Sequence, residues 1–180
     1  IREQTFADWE CILVDDGSTD AVYKEIEAML AGDQRFRLLR NPQNRGLAYS
    51  LNRGWREARA PLIARIDADD TCLPERLQRQ VEFLEAHPEI DVLGSAAVFF
   101  NPQTASETII RARETHQEIA DNIFRKTPFF HPTVMMRKQF LERTGGYDER
   151  FRWGAQDFVL WASGAGWGRY HNLQQPLIRY

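Results

Sequence analysis

Asp67-Ala68-Asp69-Asp70 sets three carboxylates within four consecutive positions. Like charges this close repel, so a fold that gathers them commonly has a cation to hold there. Hard divalent ions such as Mg²⁺ or Mn²⁺ take oxygen ligands and often share them with substrate phosphates. The plain alternative is a solvated acidic turn; an EF-hand is poorly supported, because the loop lacks its central glycine and spacing. A second acidic group, Asp15-Asp16, precedes Gly17-Ser18-Thr19-Asp20. Carboxylates at a strand tip can accept from a nucleobase N–H or a ribose hydroxyl, and the same residues also suit an ordinary strand–turn–helix junction. The third candidate is Asp157, at the head of the apolar, aromatic run Asp157-Phe158-Val159-Leu160-Trp161. It could cap a helix or act as a general base tuned by partial burial. Trp153, Trp161 and Trp167 lie nearby, with faces that suit sugar rings or a core.

The elements that must position these acids alternate. Residues 10–16 read as a strand buried on both faces, followed by a helix with Val22, Ile26, Met29 and Leu30 on one side and Gly32 at its end. Residues 36–40 form a second strand and residues 41–46 a loop, before a helix striped by Leu47, Leu51, Trp55 and Ala58. A third strand over 62–67 ends in the acid cluster. Pro74 marks the start of a helix carrying Leu77, Val81 and Leu84, and residues 91–100 form a fourth strand. Such βαβ rhythm predicts an α/β fold with a mainly parallel open sheet flanked by helices, whose ligands bind beyond the carboxyl ends of the strands. After Asn101 the rhythm changes. Residues 101–115 read as an irregular polar excursion, 117–126 as helix, 133–136 as strand and 138–143 as a helix ended by Gly145-Gly146. Residues 157–162 read as helix and 170–180 as an extended segment broken by Pro176. The parse is one domain over 1–180, with halves 1–100 and 101–180.

Bulk properties narrow the classes. The 180 residues are 43% hydrophobic and 27% charged, with a formal net charge of −3, so a general nucleic-acid binder, which needs a basic excess, is not expected. Cys11 and Cys72 have neither zinc nor disulfide-scaffold spacing. No apolar stretch approaches the ~20 residues that span a bilayer.

Read in order, ECILVDDGSTD, NRGLAYSLNRG, ARIDADDTCLPERLQRQVEFLEAHPEIDVLGS and HPTVMMRKQFLERTGGYDERFRWGAQDFVLW resemble the family 2 glycosyltransferases of GT-A fold over nearly the whole chain. The resemblance implies an inverting transfer of sugar from a nucleoside-diphosphate sugar, a UDP-sugar by default, to a hydroxyl of a carbohydrate or lipid-linked acceptor. It implies that Asp15 and Asp16 help bind base and ribose, that Arg45 lies near the nucleotide, and that Asp67 and Asp69 match the DxD motif. Asp69 is then the direct ligand of Mn²⁺ or Mg²⁺, and Asp157 the catalytic base. His131 and Trp153 fall on the acceptor side, where His131 is equally suited to a structural role. A cytoplasmic location, peripheral at the inner face of a membrane, accompanies these expectations.

Two departures from the family pattern stand out. Relatives open with a strand that helps hold the nucleoside, whereas this chain opens at IREQTF, within the helix expected to follow that strand. The fold is therefore expected to lack its first strand, a gap that homo-oligomerisation could fill. Gln156 stands where the family commonly has Glu. The competing readings are a catalytically idle binding or assembly module and a nucleotidyltransferase of similar sheet.

Overall fold

A computed structural model describes residues 1–152 and 154–179. The first strand, β1 (Cys11–Asp15), leads through Gly17 into α1 (Asp20–Leu30), and β2 (Phe36–Arg40) pairs with β1 in parallel register, Cys11 opposite Phe36 and Asp15 opposite Arg40. Helix α2 (Leu47–Glu57) packs on β1. Then come β3 (Leu62–Ala64), β4 (Thr71–Cys72), α3 (Arg76–Ala86), β5 (Val92–Asn101), β6 (Ser106–Ile110), α4 (His116–Ala120), β7 (Met135–Arg137), α5 (Lys138–Thr144), α6 (Gln156–Ser163) and β8 (Tyr170–Arg179).

The α/β architecture with flanking helices matches expectation, but the pairing is mixed. β1–β2 stands as a two-stranded sheet beside a six-stranded one ordered β3-β7-β5-β8-β4, with β6 on β5. Among the described residues β1·β2 and β5·β8 are parallel, whereas β3·β7, β4·β8, β5·β6 and β5·β7 are antiparallel. The cause lies in the second half of the chain, whose strands follow hairpins and short helices rather than full crossovers. The stretch expected to be irregular after Asn101 in fact turns at once into β6, with Asn101 opposite Ser106. At Pro176 the β5·β8 register shifts, which lets β8 continue past a residue that cannot donate to the ladder.

Three local expectations change as well. Residues 1–10 hold no helix. They lie along the start of α3, where the Gln4 side chain donates to the Leu73 carbonyl at 2.7 Å and accepts from the Leu77 amide at 2.9 Å. β1 is half-buried rather than buried on both faces, and α1 buries no residue at all, leaving Val22 and Met29 exposed. With only two strands in that sheet, there is too little apolar surface to cover them. α2 turns Ala48, Ser50, Asn52 and Trp55 inward, while Leu47 is exposed. Its inward polar residues hold loops, as described below.

The core around the second sheet is dense with rings. Trp161, Phe140, Tyr170 and Phe129 are buried and meet edge-on or stacked, with Phe129–Trp161 centroids 5.1 Å apart. Each such pair contributes about 0.5–1.5 kcal/mol beyond its area burial. This ring cluster fixes α6, and with it the acid at the head of α6. No helix among the described residues is long and apolar enough to cross a membrane.

Candidate active site

The acid loop is short and internally braced. β3 stops at Ala64, earlier than the pattern suggests, and Asp70 N–H closes a turn onto the Asp67 carbonyl at 3.3 Å before β4 begins. Within that turn, ligand oxygens of Asp67, Asp69 and Asp70 all lie within 4.8 Å of one another. Asp67 pairs with Arg65, Asp69 is exposed, and Asp70 has one buried carboxylate oxygen with no hydrogen-bond partner. Burial and the charges of Asp67 and Asp69 push the Asp70 carboxyl above its ordinary value. An unpartnered buried oxygen and a raised carboxyl in an all-oxygen cluster are what a hard divalent cation would relieve, so the donor set fits one.

The loop is held from beneath by Arg76. This guanidinium is 1% exposed and donates to the Arg65 carbonyl at 2.6 Å, the Val134 carbonyl at 3.2 Å, Gln80 at 3.1 Å and Cys72 Sγ at 3.2 Å. Both ends of the acid turn are thereby tied to one side chain.

At the first acid pair the two residues differ in their engagement. Asp15 is 4% exposed, accepts from Ser18 N–H at 3.2 Å and lies 3.5 Å from the Arg40 guanidinium. Asp16 accepts through one oxygen from Asn41 at 2.7 Å and Arg45 N–H at 2.9 Å, and through the other from Gly46 N–H at 2.8 Å. Burial opposes its charge, yet the Arg45 and Gly46 amides, Asn41 and Ser50 outweigh it and hold the carboxyl below its usual value. Asp16 thus fixes the 44–46 loop where it enters α2. Gly17 is bound to be glycine here: its φ is +81°, and a Cβ would sit 2.6 Å from the Asn44 amide. The Arg45 side chain lies over the Tyr49 ring at 4.5 Å.

Asp157 occupies the first turn of α6, with Ala155 in left-handed conformation (φ +62°) at the cap and the Gln156 side chain buried with its Oε1 unpartnered. The link between this helix and the acid loop is Tyr147. Burial pushes the Tyr147 phenol upward against the pull of Arg65, and the charges of Asp157 and Asp67 both add to the rise. The charges of Asp67 in the acid turn and of Asp157 therefore both reach this one hydroxyl. That hydroxyl lies 3.0 Å from His131 Nε2, and burial together with Arg65 holds the His131 imidazole down at about 3, neutral at physiological pH. Tyr147 is in turn clamped to α2: Asn52 donates to its carbonyl at 2.8 Å and accepts from its N–H at 2.8 Å. Trp153 lies outside the described residues; Trp161 and Trp167 belong to the ring core.

Sequence reasoning passed over Arg65, Arg76, Asn52 and Tyr147. Arg65 and Tyr147 lie inside quoted motifs, ARIDADD and GGYDERF, but nothing in those strings marks them as partners. Asn52 and Arg76 sit at helix positions where the periodicity calls for apolar residues, and an inward polar residue was the available signal.

The mixed α/β sheet with flanking helices, carrying a carboxylate turn between β3 and β4, has the architecture of the GT-A glycosyltransferases. The Glycosyl transferase family 2 model matches residues 1–145, and the chain belongs to that family. EpsE of Bacillus subtilis (strain 168), which carries a glycosyltransferase name, is 35% identical over 99% of this chain and 64% of its own length. The amylovoran biosynthesis glycosyltransferase AmsE of Erwinia amylovora is 30% identical over 89% of this chain and 59% of its own. The chain thus spans roughly three fifths of the length of these curated relatives. Among solved structures, S. aureus TarS 1–349 superimposes with a TM-score of 0.78 at 20% identity, covering 98% of this chain and 53% of TarS, and it has also been solved in complex with UDP and with UDP-GlcNAc. That likeness concerns the fold.

Proposed function

We propose that this chain carries the donor and catalytic half-sites of an inverting glycosyltransferase that moves a sugar from a UDP-sugar to a hydroxyl of a carbohydrate or lipid-linked acceptor. The observation that carries the reading is the acid turn itself, where oxygens of Asp67, Asp69 and Asp70 lie within 4.8 Å of one another and one buried Asp70 oxygen has no partner. The UDP and UDP-GlcNAc complexes of TarS, and the name of an Escherichia coli relative 26% identical over 99% of this chain, UDP-Gal:alpha-D-GlcNAc-diphosphoundecaprenol beta-1,3-galactosyltransferase, favour a UDP-sugar donor.

In this reading residues 1–100 receive the donor and 101–180 the acceptor. Asp15, buried at the tip of β1, accepts from the base or ribose. Asp16 holds the 44–46 loop so that Arg45 reaches the nucleotide. Asp69, exposed and free of the Arg65 pairing that engages Asp67, is the leading ligand for Mn²⁺ or Mg²⁺, with Asp67 and Asp70 completing the oxygen set. When bound, such an ion supplies positive charge against the diphosphate that leaves. Asp157 removes the proton from the acceptor hydroxyl as it attacks the anomeric carbon from the opposite face. His131, neutral and bonded to Tyr147, lines the acceptor side without competing as a base. The half-buried outer edge of β1 is a surface on which a second copy could add a strand.

The test is transfer and donor hydrolysis by the full chain with Mn²⁺ and a panel of nucleotide sugars. Asp69→Ala and Asp157→Asn are each expected to lower turnover by about 10²–10⁴-fold. Undiminished turnover in both variants would overturn the assignment. Family membership removes the ground for a nucleotidyltransferase.

A further inference from the structure

Away from the acids lies a cavity of about 450 Å³, between the segment that leaves β6 and the loop that follows α4. Arg111, Arg113 and Lys126 stand around it, Ile119 and Phe129 form its apolar floor, and no carboxylate is among its lining residues. In a chain of net charge −3, three cations around an acid-free cavity are a local reversal of sign. None of the three forms an ion pair among the described residues, although Glu118 feels Arg113 at longer range.

The cavity is preformed. Asn172, fully buried on β8, donates through Nδ2 to the Arg113 carbonyl at 2.7 Å and to the Pro128 carbonyl at 3.0 Å, and its own amide donates to the Glu114 carbonyl at 2.9 Å. One side chain thus staples both walls. Gln174 adds a bond to the Ala112 carbonyl at 3.3 Å. A site braced this way does not have to order its backbone when it binds.

Its wall also leads to the active site. Phe129 and Phe130 run directly into His131. The Phe129 ring meets Trp161, and Trp161 follows Asp157 by four residues, on the same face of α6. A lining residue of the cavity, Phe129, thus packs on the helix that carries the proposed base.

We infer that this cavity is a second anion site, taking a phosphate or diphosphate group on the acceptor side of the enzyme. Two guanidinium forks and an ammonium match a diphosphate in charge and in bidentate geometry better than a lone carboxylate. The cavity volume also exceeds what one carboxylate fills. The inference deepens the proposed function, because it names the chemistry of the acceptor received by the second half of the chain. The group could belong to the acceptor itself or to a phospholipid headgroup.

The experiment is calorimetric titration of the full chain with inorganic pyrophosphate in EDTA, where the acid turn has no cation with which to hold an anion. Wild type is expected to bind, and a variant combining Arg111→Gln, Arg113→Gln and Lys126→Gln to bind at least about tenfold more weakly. Absence of binding, or binding equal in wild type and variant, overturns the inference. All three side chains are exposed; should the triple variant nevertheless fail to fold, Lys126→Glu alone must weaken binding. Sedimentation with phosphatidylglycerol–phosphatidylcholine vesicles separates the sources. Vesicle association lost in the variant and competed by pyrophosphate assigns a headgroup, whereas pyrophosphate binding without vesicle association assigns an acceptor-borne diphosphate. UDP titration with Mn²⁺ reads the donor site independently and is expected to be equal in both proteins. Its failure in wild type would count against the proposed donor site and leave the pyrophosphate result to decide the cavity.

Discussion

Arg76 Nη2 donates to the carbonyl oxygen of Arg65 at 2.6 Å, from a guanidinium that is 1% exposed. Because Nη1 of the same group reaches Cys72, the acid turn between these two residues is closed by a side chain from α3 as well as by its own Asp70–Asp67 backbone bond. Lysine at this position keeps the charge but offers a single ammonium that cannot span both anchors. Arg76→Lys is expected to cost about 2–3 kcal/mol in urea denaturation, the penalty of leaving buried acceptors unpaired, and to weaken Mn²⁺ activation about tenfold or more. Unchanged metal dependence would show that the turn does not need this brace.

Asp70 makes the same loop sensitive to pH. Its carboxyl is raised by burial and by Asp67 and Asp69, so between the ordinary value of 3.8 and its own value the folded protein holds a proton that the unfolded chain has released. The metal-free protein must therefore lose stability as pH rises through that window. Asp16, held below its usual value, works with the opposite sign: its contribution is present above the ordinary range and is lost as pH falls. Comparing wild type with Asp70→Asn isolates the first effect. In EDTA, the difference in urea midpoint is expected to turn against wild type as pH rises above about 4, and saturating Mn²⁺ is expected to reduce it. A difference independent of pH would contradict the raised carboxyl.

Asn52 concentrates the connection between the two halves of the site. Its amide donates to the Tyr147 carbonyl and to Glu149, and its oxygen accepts from the Tyr147 amide and from Trp55 Nε1 at 3.0 Å, all from a residue 1% exposed. Asn52→Ala strands several of these groups at once and is expected to destabilise the protein by about 3 kcal/mol. Asn52→Asp keeps the acceptor and loses the donor, so it tests whether the GGYDE loop must be gripped from both sides. Near-wild-type melting of the alanine variant would mean that the loop finds other partners.

The acids were legible in the sequence because clustered carboxylates at strand ends are costly without a cation or a ligand. The helices were legible because an apolar stripe at helical spacing has few other uses. What the pattern hid was the means of holding the site. Arg76, Gln80, Asn52 and Ser50 are polar residues facing inward, each bonded to partners outside its own helix. Those partners are brought near only by the fold, so no local spacing reveals them. The mixed sheet was hidden for a related reason: strand direction in the second half depends on which strands become neighbours, and short strands such as β4 and β7 carry little periodicity. The apolar face on α1 was legible as a stripe, but whether it is buried depends on a partner surface that two strands do not supply.

Ala155 carries backbone strain beside the proposed base. Its φ of +62° is left-handed, and it is a non-glycine residue at the N-cap of the helix whose first turn holds Asp157. The Cβ in this region costs roughly 1–2 kcal/mol, against which glycine adds about 0.5–1 kcal/mol of chain entropy to the unfolded state. Ala155→Gly should therefore stabilise the protein by about 0.5–1 kcal/mol, a rise in melting temperature of about 1–3 °C. The same change frees the entry to α6, and a base held less firmly spends less time aligned with the acceptor hydroxyl. Transfer is thus expected to slow severalfold at saturating donor, with donor KM little changed, because the donor acids lie on other elements. A variant both more stable and fully active would show that the strained cap has no part in holding Asp157. A variant less stable than wild type would mean that the Cβ makes contacts worth more than the strain it imposes.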